Sequence, residues 1–172
     1  MIGNWLRVTP AELAKAREDL GWAYQLVQAA QDSESSRLYH LDKTWHAFDF
    51  LLERHGFSVP IVLGAESFVD TPDDELAEDD EDDEDDDTDW GYGPPTYLTP
   101  EQVATAATEL ATLTEEALTR GVDPAELTRA EIYPNVWDRP GELDWAVHHL
   151  SYVRRFFAAA ARSGDGIICW ID

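Results

Sequence analysis

Ile167-Ile168-Cys169-Trp170-Ile171 is an uninterrupted run of β-branched and aromatic residues near the end of the chain. A short run of this composition is typical of a buried strand. A second short strand is predicted over residues 2–8, Ile-Gly-Asn-Trp-Leu-Arg-Val, at the start of the chain. We expect the two strands to lie side by side, so that the N- and C-terminal segments form a small sheet.

Between these strands, apolar residues recur at spacings of three and four, which indicates mainly helical structure. The first helix begins at Thr9-Pro10-Ala11-Glu12, since Thr9 can cap its free amides and Glu12 can complete a capping box. Its apolar stripe reaches Val27, with a bend or break expected at Gly21. Further helices are predicted over residues 41–54, from Thr99 to about Arg120, briefly from Asp123, and over 142–162. The predicted fold class is therefore α+β, and 172 residues suit a single domain.

Charge is the strongest compositional signal, with 36 acidic and 12 basic residues and a net charge of −24. From Asp70 to Asp89 the chain has 15 acidic residues and no basic one. This stretch, called here the acidic tract, cannot bury enough apolar area to order itself, so a disordered insertion is predicted at about 70–89. It either docks on a basic protein partner or serves only to raise solubility. Phosphate backbones and anionic membrane surfaces are excluded as partners by charge repulsion.

Cysteine use and the chain start indicate the compartment. Cys169 is the single cysteine, so no internal disulfide can form. The residues after Met1 lack the basic segment and apolar run of a signal peptide. No apolar stretch approaches the ~20 residues that span a bilayer. These observations predict a cytoplasmic protein.

Helical spacing places Asp42, His46, Asp49 and Glu53 on one stripe, beside the apolar stripe that contains Trp45. Carboxylates near a histidine raise its pKa for acid–base chemistry or help to hold a metal. The alternative is an ordinary solvated helix face. Asp49 borders the Trp45 side and is the member expected to be partly buried.

Aromatic residues in predicted irregular segments are the best candidates for ligand contacts, because binding groups collect in loops. They are Tyr92, Tyr97, Tyr133 and Trp137, together with Glu66. These side chains are predicted to line a cleft with Asp49 at its floor. The alternative is that the aromatic rings only fix the loops onto the core.

No set of groups in the sequence carries recognisable catalytic chemistry. His148 and His149 are adjacent, so they are expected on different helix faces, and His149 is expected to be a hydrogen-bonded core histidine. Asp144, His148 and Ser151 lack the strained turn that a nucleophilic triad needs. No phosphate-binding loop or metal signature is present, so no catalytic residue, metal or cofactor is predicted.

Several segments resemble the YfbM-like family of small bacterial domains of unknown function. They are Met1-Ile2-Gly3, Leu41-Asp42-Lys43-Thr44-Trp45, Tyr92-Gly93-Pro94 through Tyr97 to Val103, Ile132-Tyr133-Pro134, and the last helix and strand. The resemblance implies a compact α+β domain in the bacterial cytosol and no known reaction, with some relatives in toxin–immunity settings. Family members often have a histidine where this chain has Asp49 and an arginine where it has Thr96.

Two functions remain open on these grounds. The leading hypothesis is a non-catalytic protein-binding module of immunity or adaptor type, whose acidic surface engages a basic protein. The alternative is a small enzyme or small-ligand binder with a cleft lined by Asp49, Glu66 and Tyr133.

Overall fold

The structure is a computed structural model that describes residues 1–69 and 89–172. The acidic tract, predicted to be disordered at about 70–89, therefore lies outside the described residues except for Asp89. None of the helices described is long and apolar enough to cross a bilayer.

Five strands within the described residues form one antiparallel sheet of order β2-β1-β5-β4-β3. The strands are β1 (Gly3–Val8), β2 (Leu38–His40), β3 (Glu66–Ser67), β4 (Thr96–Leu98) and β5 (Gly166–Ile171). β1 and β5 pair over their whole length, from Gly3 opposite Ile171 to Val8 opposite Gly166. The predicted pairing of the N- and C-terminal strands is confirmed, with β5 as the central strand of the sheet and β1 beside it.

Eight α-helices surround the sheet in the part of the chain that the structure describes. They are α1 (Pro10–Glu18), α2 (Leu20–Asp32), α3 (Trp45–His55), α4 (Pro100–Thr112), α5 (Glu115–Thr119), α6 (Pro124–Arg129), α7 (Glu142–Val147) and α8 (Leu150–Ser163). A short 3-10 helix, Asp42–Thr44, precedes α3. The mainly helical α+β fold class is thus confirmed.

The predicted helix starts form capping boxes. Thr9 and Thr99 each accept a hydrogen bond from the backbone three residues on, and Glu12 and Gln102 bond back to the cap amides. Each box satisfies two amides that a helix start leaves without a partner. These boxes orient α1 after β1 and α4 after β4.

The single helix predicted from Pro10 to Val27 is two helices. Asp19 separates them, because its carboxylate accepts a 2.8 Å hydrogen bond from the Trp22 amide and so starts α2. The break therefore lies at Asp19 and not at Gly21, which is inside α2. A carboxylate within a periodic segment competes with the helix for backbone amides and creates a new cap.

The two other long helices predicted from the sequence are also interrupted. α4 ends at Thr112 rather than near Arg120, because Thr114 caps α5 through the Ala117 amide. The helix predicted over 142–162 divides between α7 and α8. At this break the His148 ring nitrogen Nδ1 lies 2.7 Å from the Trp145 carbonyl oxygen. In a continuous helix that oxygen would accept a hydrogen bond from the His149 amide.

The sheet has an apolar core on each face, because successive side chains of a strand point to opposite sides. On one face Trp5, Leu98 and Cys169 join the core that packs α3 through α8. On the other face Leu6 and Tyr97 join the core that packs α1 and α2. Tyr97, predicted in an irregular segment, therefore lies on strand β4 in the second core.

Candidate functional site

Asp49 is a buried carboxyl group on α3. Its residue surface is only 7% exposed, and α3 packs against α5 and α7. Within the described residues its carboxylate receives no hydrogen bond. Burial, with a smaller contribution from the neighbouring Glu53 carboxylate, raises its pKa to about 7. Asp49 therefore exchanges a proton near neutral pH, as the sequence-predicted position beside Trp45 allows.

Trp45 lies one turn before Asp49 on the same helix face. Its indole Nε1 is buried and has no acceptor among the residues described. A buried N–H without a partner is destabilising by about 1–3 kcal/mol. The two side chains together present one indole N–H and one carboxyl group that have no hydrogen-bond partner among the described residues.

His46 is held between Trp45 and the segment after α6. The backbone amide of Tyr133 donates a 3.0 Å hydrogen bond to His46 Nδ1. The imidazole ring stacks on the Trp45 indole at 4.8 Å between centroids and 12° between planes. Burial lowers the pKa of His46, against an opposing effect of Glu53. Since Nδ1 accepts from an amide, the neutral ring carries its proton on Nε2.

Asp42, predicted on the stripe with His46 and Asp49, does not lie on α3. It belongs to the 3-10 helix and has a φ of 54°, so the chain turns there before α3 begins. The predicted four-residue stripe therefore consists of His46, Asp49 and Glu53 in the structure.

Tyr133 and Trp137 lie in the irregular segment after α6, as predicted. The Tyr133 hydroxyl accepts a 3.4 Å hydrogen bond from the Met1 ammonium group. Trp137 is buried, donates from Nε1 to the Ile132 carbonyl at 2.8 Å, and stacks on Trp145 at 5.8 Å. Trp137 thus fixes this segment onto the core, while Tyr133 lies beside His46.

Glu66 and Tyr97 belong to a different part of the fold. Glu66 is on the edge strand β3, where its carboxylate accepts a 2.8 Å hydrogen bond from Gln102 Nε2. The Tyr97 ring packs against Phe68 at 4.7 Å, on the opposite sheet face from the α3 core. The structure brings Trp45, His46, Asp49 and Tyr133 together, but it does not bring all eight candidates into one cleft.

Tyr92 is the centre of an exposed apolar surface. Among the described residues, three of the four large hydrophobic side chains that are exposed lie near the loop 90–95: Leu63 (45%), Val69 (43%) and Tyr92 (67%). We call these three side chains with loop 90–95 the Tyr92 surface. A cleft of about 240 Å³ is lined by Leu63, Tyr92 and Pro94, and a second of about 280 Å³ by Val69, Trp90 and Pro94. The two clefts share Pro94 and lie next to each other.

The loop that carries Tyr92 has a defined backbone. The Tyr92 amide donates a 2.8 Å hydrogen bond to the Ile171 carbonyl oxygen, and the Gly91 amide donates to Asp89 Oδ1 at 2.9 Å. Gly91 has a φ of 85°, and a Cβ at this position would lie 2.6 Å from the Ile171 oxygen. Only glycine fits here, and the loop therefore projects the Tyr92 ring to solvent from a fixed base.

Tyr39 and His149 form a polar pair in the main core. The Tyr39 hydroxyl and His149 Nδ1 are 2.7 Å apart, which agrees with the prediction that His149 is hydrogen-bonded. Burial lowers the pKa of His149 to about 4, with a smaller lowering by His148, and burial raises that of Tyr39 to about 12. The rings of His148 and His149 are 3.8 Å apart because the helix breaks there, so the prediction that they point to different faces is wrong.

Sequence reasoning missed Tyr39, Leu63 and Trp90. Tyr39 lies on a three-residue strand, which is too short to show an alternating pattern. Leu63 ends an apolar run whose neighbours Ile61 and Val62 are buried, so composition does not single it out. Trp90 follows the acidic tract directly. Its position at the end of a charged segment is the one sequence feature that distinguishes it.

Comparisons with known proteins point to a family and to a fold. A family model described as a domain of unknown function (DUF1877) matches residues 1–170. The crystal structure of YfbM from Escherichia coli, a protein of unknown function, superposes with a TM-score of 0.65 at 18% identity and covers 100% of both chains. At that identity the likeness shows the fold alone. No curated protein matches the chain.

Proposed function

This chain belongs to the DUF1877 family, a domain of unknown function, and from that premise we propose that it is a non-catalytic binding module that engages a basic protein partner. A module of this kind acts by occupying its partner, in the way of an adaptor or an immunity protein. The observation that carries the proposal is the run of carboxylates between Val69 and Asp89 in the sequence, together with the position of these two residues at one cleft of the fold.

The part of the acidic tract outside the described residues, 70–88, is flanked by two residues that lie at the same place on the folded body. Val69 and Asp89, the described residues on either side of it, both line the 280 Å³ cleft together with Leu20 and Trp90. Fourteen of the 36 acidic residues lie between these two positions in the sequence. A charge of this size concentrates a basic partner near the surface and raises its association rate by about 10–1,000-fold.

Much of the positive charge is engaged within the chain. Five arginines form ion pairs, namely Arg7 with Asp165, Arg37 with Glu12, Arg54 with Glu126, Arg120 with Glu116 and Arg129 with Asp123. Arg154 donates to the carbonyl oxygens of Leu110 and Leu113. With 36 acidic and only 12 basic residues in the sequence, most carboxylates have no basic side chain of the chain to pair with, which favours a partner that supplies positive charge.

Capture from native lysate is expected to recover a basic protein at low salt and to lose it at high salt. The reason is screening, since the Debye length falls from about 10 Å at 0.1 M salt to about 3 Å at 1 M. The matched variant keeps the chain length and changes every Asp and Glu between 70 and 89 to Asn or Gln. Recovery is measured by quantitative mass spectrometry of the bound fraction.

The amide variant is expected to lose the partner at every salt concentration. Equal recovery at low and at high salt would contradict the proposal, and so would equal recovery by the wild-type chain and the amide variant. Circular dichroism of both chains controls for folding, because one changed residue, Asp89, accepts a hydrogen bond from the Gly91 amide.

A second candidate function is small-ligand binding at α3, and the specific observation behind it is the pair of unused polar groups on Trp45 and Asp49. Their chemistry suits a small ligand with a hydrogen-bond acceptor for the indole and a donor or positive charge for the carboxyl group. Glu66 is not part of this candidate, since it is bonded to Gln102 on the edge strand.

This second candidate predicts a ligand-dependent rise in melting temperature. A ligand present at about 100 times its dissociation constant stabilises the folded chain by about 2.7 kcal/mol. A thermal-shift screen of small amines and amides is expected to give hits that Asp49→Asn loses and Glu53→Gln keeps. A screen without such hits would contradict the candidate.

A further inference from the structure

Among the described residues, three of the four exposed large apolar side chains surround loop 90–95, and we propose that this Tyr92 surface docks an extended basic segment of a partner protein through an apolar side chain of that segment. This proposal rests on the proposed function and adds to it the docking position and the chemistry of the segment. The proposed occupant is a peptide stretch in which lysines or arginines flank an apolar residue.

The Tyr92 ring is suited to act as an anchor. It is two-thirds exposed, yet its backbone amide is bonded to the C-terminal strand and Gly91 fixes the turn that precedes it. An aromatic ring on a fixed backbone loses little conformational freedom when it binds. Exposed aromatic anchors of this kind dominate the energetics of protein interfaces.

The clefts on either side of loop 90–95 supply the apolar contact. Leu63 and Tyr92 line one cleft, and Val69 lines the other. Each cleft has the volume of an amino-acid side chain or somewhat more, so each can take one apolar side chain of a bound segment. Exposed apolar side chains are usually scattered singly, so three around one loop indicate an interaction surface.

Trp90 forms a fixed apolar wall of the second cleft. The residue is only 6% exposed and lines the cleft beside Asp89. Its ring packs against Tyr24 and Trp170, with ring centroids 5.5 and 6.0 Å away. An apolar side chain of a bound segment therefore meets a rigid aromatic surface there.

Charge selects among the occupants of this surface. Val69 and Asp89 both line the second cleft, and 14 acidic residues lie between them in the sequence. A second copy of the chain carries the same net charge of −24, so the approach of two such faces is repulsive. A cationic segment is attracted, and its apolar residue gives the contact a specificity that charge alone does not provide.

The test is fluorescence anisotropy with three labelled twelve-residue peptides added to the full chain. The first contains lysines around a central pair of leucines, the second only lysines and glycines, and the third has glutamates in place of the lysines of the first. We expect the first peptide to bind most tightly and the glutamate peptide not to bind. Tyr92→Ala is expected to weaken the first peptide about tenfold and to leave the second unchanged.

Tyr152→Ala is the matched control, because Tyr152 is an exposed tyrosine on α8, outside the Tyr92 surface. Leu63→Ala gives a second measurement on the surface should Tyr92→Ala fold poorly. Equal binding of the first two peptides, or equal losses with Tyr92→Ala and Tyr152→Ala, would overturn the docking position. The lysate capture would then still decide the proposed function, since it does not depend on Tyr92.

The acidic tract itself is the competing occupant. If it covers the Tyr92 surface, the chain with amides at 70–89 is expected to bind the leucine-containing peptides more tightly than the wild-type chain does. That result would overturn the proposal of an external partner at this position. Weaker binding by the amide variant supports the proposal.

Discussion

Replacing Asp49 by Asn is expected to raise the free energy of unfolding at pH 8 by about 2–4 kcal/mol. Asp49 is buried on α3 with its pKa raised to about 7, because burial penalises the charged form and Glu53 adds a like charge. Asparagine has nearly the shape of the protonated side chain and never ionises. The variant therefore removes the cost of burying a carboxylate at pH 8.

The gain is expected to depend on pH in a defined direction. In the unfolded chain Asp49 ionises near its ordinary pKa of 3.8, whereas in the folded chain it holds its proton up to about pH 7. The contribution of the protonated form to stability is thus fully present below pH 4, declines as the pH rises from 4 to 7, and is lost above 7. Urea titrations give the difference in free energy of unfolding between Asp49→Asn and the wild type. This difference is expected to be about 2 kcal/mol larger at pH 8 than at pH 5.

Glu53→Gln is the matched control for Asp49→Asn. Glu53 lies one turn further along α3 and is exposed, so its own burial contributes little. Its removal is expected to lower the pKa of Asp49 slightly and to give a much smaller stability gain. A gap between wild type and Asp49→Asn that stays constant from pH 5 to pH 8 would show that Asp49 is not the titrating group.

An acid that destabilises its own fold near neutral pH requires a reason for its presence. Substitutions that relieve such strain commonly stabilise a protein and reduce its activity. In many members of the YfbM-like family the residue at this position is a histidine, and histidine also titrates near neutral pH. The expected stability gain and the second candidate function are therefore linked, because a ligand that bonds to Asp49 would offset the burial cost.

The central part of the fold follows from residue patterns. The run Ile167–Ile171 and the segment 2–8 are apolar enough to be recognised as strands, and they pair along their full length. The threonine-proline helix starts are local chemistry, since the cap and its partner are three residues apart. Signals of this kind are contained in a few neighbouring residues, which makes them readable from sequence.

The helix breaks and the short strands cannot be recognised from local sequence patterns. Asp19 and Thr114 each end a periodic segment with one polar side chain, and periodicity averages over such a residue. β3 has two residues and β4 has three, so neither shows an alternation of period two. Both strands owe their position to the neighbour that pairs with them, and that neighbour is distant in sequence.

The candidate site divides in the same way. The burial of Asp49 was predictable because Trp45 lies one turn before it on the same helix. The hydrogen bond from the Tyr133 amide to His46 joins residues 87 positions apart, which no local pattern encodes. Tyr97 and Tyr133 both looked like loop aromatics, yet the pleat of β4 directs one of them to the opposite core.

Removing the Asp165 carboxylate is the second change with a large expected effect. Arg7 donates to Asp165 Oδ2 from Nε at 3.0 Å and from Nη2 at 2.8 Å. The Asp165 side chain is only 7% exposed and that of Arg7 16%. The pair joins β1 to the turn between α8 and β5, next to the end of the β1–β5 ladder where Val8 lies opposite Gly166.

Asp165→Ala is expected to lower the free energy of unfolding by about 2–4 kcal/mol, because it leaves the largely buried Arg7 guanidinium without a counter-ion. Two weaker contacts remain, to the Ala159 carbonyl oxygen and to Ser163 Oγ. Glu116→Ala is the matched control, since it breaks the exposed pair with Arg120 on one helix face. That change is expected to shift stability by no more than about 0.5 kcal/mol.

A double-mutant cycle separates the worth of the pair from the cost of an unpaired charge. Arg7→Met with Asp165→Ala is expected to be more stable than Asp165→Ala alone, because no charge then remains buried. Urea unfolding of the four chains gives the coupling energy. If Asp165→Ala costs no more than Glu116→Ala, the pair contributes as an ordinary surface pair, and β1 and β5 are held by their hydrogen-bond ladder and apolar side chains alone.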